Sequence, residues 1–116
     1  MIRGLIGVGV AVGLHLVLGW AWTIGGGIAV GLYHTKRAWL AGGICVGVSW
    51  GVFVAHAFIV APEPTMRLME VMGGIFGDLP SSLIPVLTVF VGMLLGVAGG
   101  AVGASLKSIL TPFLLK

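Results

Sequence analysis

WLAGGICVGVSWGVFVAHAFIV, residues 39–60, decides the class of fold. It contains no Asp, Glu, Lys or Arg, and it supplies the roughly 20 apolar residues that a helix needs to cross a ~30 Å hydrocarbon core. A second stretch of the same kind runs from Leu83 to Leu106. Neither alternates apolar with polar residues, which excludes a membrane β-barrel and leaves helices that close their own backbone hydrogen bonds. The rest of the chain agrees: of 116 residues, 59% are hydrophobic and 8% charged, with a mean hydropathy of +1.21, against about 25% charged in soluble domains. Residues 1–116 are therefore expected to form one all-α integral membrane domain.

Working toward the N-terminus, the run from Gly4 to His34 is too long for one span and short for two, about 31 residues or ~46 Å as a helix. Two features favour two short helices. Trp20 and Trp22 would lie mid-membrane in a single span but at the interface if the chain turns there, and tryptophan prefers the interface. Four helices also collect Arg3, Lys36, Arg37, Lys107 and Lys116 on one side, with Arg67, Glu63, Glu70 and Asp78 opposite, as the positive-inside rule requires. The expected spans are 3–18, 21–35, 38–60 and 82–106, in a multi-pass protein of the cell membrane with both termini cytoplasmic. Arg3 ahead of an apolar run resembles a secretory signal, but Gly19-Trp20-Ala21-Trp22 lacks a small-x-small cleavage pattern, so the segment is expected to be retained.

Residues 61–81 form the expected outer loop. Ala61-Pro62-Glu63-Pro64 reads as a break, because proline removes a donor and restricts the residue before it. From Thr65 to Phe76, Met66, Met69, Met72, Ile75 and Phe76 recur at helical spacing, with Arg67 and Glu70 on another side, which predicts an amphipathic surface helix. Asp78, Ser81 and Ser82 ahead of Pro85 offer capping oxygens for the last span.

Glycine dominates the spans, with 21 in the chain. Gly9 and Gly13, Gly27 and Gly31, Gly43, Gly47 and Gly51, and Gly92, Gly96 and Gly100 recur every four residues, with Gly103 one turn further on. Lipid gives apolar helices little drive to associate, so close backbone approach over such faces is what holds them. This predicts glycine-zipper packing, within one subunit or between subunits. Gly26-Gly27-Ile28-Ala29-Val30-Gly31 ahead of Lys36 also resembles Gly99-Gly100-Ala101-Val102-Gly103 ahead of Lys107. The repeat suggests two parallel helical hairpins related by a pseudo-two-fold axis along the membrane normal.

Chemistry is sparse. Apart from Arg3 at the edge of the first, the spans hold no Asp, Glu, Lys or Arg, which disfavours a carboxylate-based antiporter. His15 and His56 stand at comparable depth near one end of their helices and are expected to lie close together. Paired imidazoles ligate haem, chlorophyll or metals, but tightly packed glycine helices leave little room for such a group, so hydrogen bonding to backbone or water is expected and no cofactor or metal. Trp50, Phe53 and Phe58 read as packing aromatics, and Met66, Met69 and Met72 as an apolar face rather than a soft-metal run. Cys45 is the single cysteine, so no intramolecular disulfide forms. No nucleophile, base and orienting acid converge, so no enzymatic activity is expected. The charge of +3 sits at span ends, without the basic stripe that would point to nucleic acid.

Gly25-Gly26-Gly27 with Gly31 before a basic turn, Gly42-Gly43 and Gly47 after it, and the final Gly99-Gly100 with Gly103 resemble small glycine-rich four-helix membrane proteins of unknown function, chiefly archaeal. The likeness covers residues 19–106, consists of glycine spacing, and implies a fold and no activity. Size and helix count are also similar to small multidrug-resistance transporters and dual-topology fluoride channels. The chain lacks the first family's glutamate in the first helix, with only His15 nearby, and the polar pore residues of the second. The leading expectation is a non-catalytic packing or accessory subunit, whose partners are the lipid bilayer and other membrane subunits or further copies of itself. A small homo-oligomeric channel or transporter is the alternative, and a His-ligated pigment or haem binder the third reading.

Overall fold

The computed structural model describes residues 1–34 and 36–115, apart from the side chain of Arg3. It is all-α: α1 (Ile2–Leu18), a 3-10 turn (Trp20–Thr23), α2 (Ile24–Tyr33), α3 (Ala38–Val60), α4 (Pro62–Ile75) and α5 (Leu83–Leu114). α3 and α5 are long and apolar enough to cross a membrane. α1 has 17 residues and α2 has 10, about 25 and 15 Å at 1.5 Å per residue.

The breaks follow local chemistry. Gly19 ends α1 at φ 97, a left-handed conformation that costs glycine little. Trp20 and Trp22 lie exposed on the turn that follows. Thr23 Oγ1 donates to Trp20 O at 2.6 Å and locks that turn. Arg37 takes the left-handed region at φ 56 as α3 begins. Of the expected second span, 21–35, the helix proper occupies Ile24–Tyr33, and Thr35 lies outside the described residues.

Three expectations about the second half need correction. The Ala61-Pro62-Glu63-Pro64 segment opens a helix directly, because the first-turn N–H groups of a helix have no partner and proline loses nothing there. Thr65 Oγ1 donates to Ala57 O at 3.1 Å, tying the new helix to the end of α3. Ser82 stands at the N-cap of α5 but makes no side-chain cap. Backbone bonds serve instead, Leu83 N to Pro80 O and Ile84 N to Ser81 O. Finally, α5 continues eight residues beyond the expected end at 106, through Pro112 to Leu114. Lys107 does not end a helix, because lysine is itself a good helix former and nothing from Ser108 to Thr111 interrupts the backbone bonds.

α5 packs in the cleft between α2 and α3, while α1 packs on α2 and α3 across the bundle from α5. Contacts give the directions. Gly27 meets Gly96 and Gly99, and Gly31 meets Gly100 and Gly103, so α2 and α5 run parallel. Cys45 reaches Gly4 O and Ser49 reaches Val8 O, so α1 and α3 also run parallel. Gly42 against Gly96, Gly47 against Met93 and Trp50 against Gly92 make α3 and α5 antiparallel. The hairpins α1–α2 and α3–α5 thus point the same way, but no two-fold relates them. An axis exchanging the hairpins would turn the α2–α3 contact into one between α5 and α1, which do not pack together. Met1, His34, Arg37 and Lys107 fall at one end, called here the terminal end, and α4 at the other.

Burial is inverted relative to a soluble bundle. The largest fully buried side chains are Val46, Thr23 and Ser49, while Trp39, Ile44, Val52, Phe90, Leu94 and others of their kind are exposed. Soluble monomers rarely expose so many large apolar side chains, and small residues at helix contacts are a packing style common in lipid.

Candidate functional site

The closest backbone approach is the seam of α5 against α2 and α3. A Cβ added at Gly27 would stand 2.9 Å from Gly96 O and 3.1 Å from Gly99 Cα. One at Gly31 would meet Gly100 O and Gly103 Cα, and one at Gly100 would meet the Ala38 carbonyl. Gly42 and Gly96 face one another so that either Cβ would strike the other residue's carbonyl oxygen. Gly43 is opposed by Val97 Cγ2 at 2.8 Å, Gly47 by the Met93 side chain, and Gly92 by the Trp50 ring at 2.5 Å. Gly51 has only an ordinary contact, Val89 Cγ2 at 3.8 Å.

Gly9 and Gly13 are not part of this seam: nothing lies within 4 Å of a Cβ built on either. The inward residues of α1 are Gly7, beneath Val30 and Cys45, and Ala11, against Gly26. Two positions along a helix turn about 200°, so the 7/11 face and the 9/13 face look in opposite directions. α1 is small-sided on both faces, and one of them is bare.

Polar side chains gather between the helices near the α4 end. Thr23 and Ser49 are fully buried. Trp50 Nε1 donates to Thr23 Oγ1 at 3.2 Å, and the Thr23 proton goes on to Trp20 O. Ser49 Oγ stands 2.9 Å from Cys45 O in its own helix and 3.4 Å from Val8 O in α1, so its one proton is shared between them. The His15 ring stacks on Phe53, with centroids 4.1 Å apart and planes at 24°, and presents an edge to Trp50 at 6.0 Å. Its Nδ1 is buried without a hydrogen-bond partner.

The His15 ring is engaged by Phe53 and Trp50 rather than by the expected partner, His56. The register that sets Gly4 beside Cys45 and Val8 beside Ser49 also sets His15 level with His56, so the depth argument holds. Contact, however, depends on rotation about each helix axis as well as on depth. The His15 ring lies over Phe53, three residues before His56, and His56 is exposed. His34 is half-buried at the terminal end. Among the described residues no three His, Cys, Asp or Glu side chains form a metal-binding group. Thr23 and Ser49 were open to detection in the sequence as the hydroxyls that interrupt apolar runs, since such groups in lipid seek partners across helices. No family model, curated protein or solved structure matches this chain.

Proposed function

We propose that the chain is a four-span protein of the cell membrane, with both termini cytoplasmic, that acts as a non-catalytic packing subunit of a homo-oligomer or larger membrane complex. The alternating directions of α1, α2, α3 and α5 support four spans. So does the segregation of charge, with Lys36, Arg37 and Lys107 at the terminal end and Glu63, Arg67, Glu70 and Asp78 on or beside α4. In this reading the short α1 and α2 are accommodated by local thinning of the bilayer and by snorkelling of the basic residues at their ends.

The observation that carries the functional part is the bare face of α1. Gly9 and Gly13 offer a smooth surface to a helix that this subunit does not itself supply. The test is native mass spectrometry after mild extraction, against the monomer mass of 11.9 kDa. A multiple of that mass, or a stable larger partner, is expected, and Gly13→Leu should reduce it to monomer while leaving the helical content intact. A wild-type chain that is already a lone monomer would sink the proposal. A channel or transporter reading needs a polar passage, and backbone contacts such as Gly42 to Gly96 fill the space among α2, α3 and α5. Any passage would therefore run between subunits, and ion flux through liposomes of the oligomer, absent for Gly13→Leu, would favour it.

A further inference from the structure

We propose that a groove at the terminal end, between the end of α2 and the part of α5 that runs past it, binds the phosphate headgroup of an anionic phospholipid. The groove has a volume of about 380 Å³ and is lined by His34, Ala104, Lys107, Ser108 and Thr111. The site rests on the membrane reading given above.

α5 supplies the argument. Gly96, Gly100 and Gly103 lie on the face it turns to α2 and α3, and at helical spacing that face continues through Ala104, Lys107, Ser108 and Thr111. α2 stops at Tyr33, close to where Gly31 meets Gly103. One continuous face therefore changes from glycine to ammonium and hydroxyl groups where its partner helix runs out. Ser108 donates to Ser105 O and Thr111 to Lys107 O, each at 2.7 Å. Rotation about a single bond frees either proton for a phosphate oxygen.

Charge and surroundings select the ligand. Lys36 and Arg37 are exposed on the turn just after His34, and the three acidic residues of the chain all lie between 61 and 81, beside the opposite end. Among the described residues no Asp or Glu side chain stands at this end. The remaining sides of the overhang carry exposed Leu106, Ile109, Leu110, Phe113 and Leu114. A free phosphate would leave these in water, whereas a phospholipid brings acyl chains to cover them. Basic pockets between helices on the cytoplasmic side are where such headgroups are held.

The experiment uses the full chain in mixed micelles containing equal phosphatidylglycerol and phosphatidylcholine, with retained lipid counted by native mass spectrometry. Wild type should retain phosphatidylglycerol in excess, and Lys107→Gln should lower that excess about five-fold, the share of one basic residue near a membrane surface. Arg67→Gln, with the same loss of charge at the other end, should leave it unchanged. Equal retention of the two lipids by wild type, or equal effects of the two variants, would overturn the site. Displacement of the lipid by millimolar inorganic phosphate would overturn it in favour of a free-anion site. An alkaline carbonate wash separates this from the membrane reading: release of the chain from membranes would defeat that reading itself, whereas retention with no lipid preference defeats only the headgroup site.

Discussion

Gly96→Leu is expected to destabilise the bundle strongly, as should any glycine of the seam that meets backbone. A Cβ at this position meets the Gly42 carbonyl and, at 2.8 Å, Val46 Cβ. These are the backbone and stem of a neighbouring helix, so no side-chain rotation relieves the clash and α3 must move away from α5. Overpacking of a close-packed core costs about 1–3 kcal/mol, and contact with the Gly42 backbone together with the branched stem of Val46 puts this substitution at the upper end. Gly47→Leu should cost less, because Gly47 faces the flexible Met93 side chain. Val48→Leu lies on an exposed position and should change little. Within the isolated subunit Gly13→Leu should be neutral or mildly stabilising, since its Cβ enters open space and glycine is the weaker helix former by about 1 kcal/mol. Thermal unfolding in one detergent orders the four variants; equal midpoints for Gly96→Leu and Val48→Leu would remove the seam from the account of stability.

Trp50→Ala is the second large effect. Trp50 lies over Gly92 of α5, donates to Thr23 of the 3-10 turn and meets the edge of His15 in α1, so one side chain joins four segments. Truncating a packed tryptophan to alanine costs about 3–5 kcal/mol. Here it also exposes the Gly92 surface and leaves the Thr23 hydroxyl without its donor. Trp50→Phe keeps most of the packing and removes only the hydrogen bond, a loss of about 0.6 kcal/mol on the scale of interhelical bonds in membranes. Denaturant titration of both variants, with the Thr23→Val double-mutant cycle, separates the two contributions. A Trp50→Ala loss no larger than that of Trp50→Phe would mean that the ring does not hold the bundle.

Helix boundaries were the legible part of this chain where punctuation is strong. Residues 38–60 are bounded by Lys36-Arg37 and by Pro62, and the helix has those limits. Gly19 with Trp20 and Trp22 marks the first turn for the same reason. Prolines were ambiguous, because Pro62 and Pro64 break a continuing helix but suit the first turn of a new one, and only the chain direction after Ala61 separates the cases. The overrun of α5 was hidden because Lys107 reads as the end of an apolar span, while lysine does not stop a helix.

The candidate site was less legible because it depends on rotation about each helix axis. Glycine at every fourth residue identifies a smooth face without saying what the face meets. Gly42 and Gly99, outside the regular series, touch backbone, while Gly9 and Gly13, inside it, touch nothing. The contact of Thr23 with Trp50 spans 27 residues and has no local signature at all. His15 and His56 could be placed at one depth by counting residues, but not in contact.

The central claim, four spans with both termini cytoplasmic, is tested most directly by single-cysteine labelling in intact cells with a membrane-impermeant maleimide, in a Cys45→Ala background that removes the one native thiol. Lys36→Cys and Thr111→Cys should react only after the membrane is permeabilised, and Asp78→Cys should react from outside; labelling of Lys36→Cys or Thr111→Cys in intact cells would contradict the account.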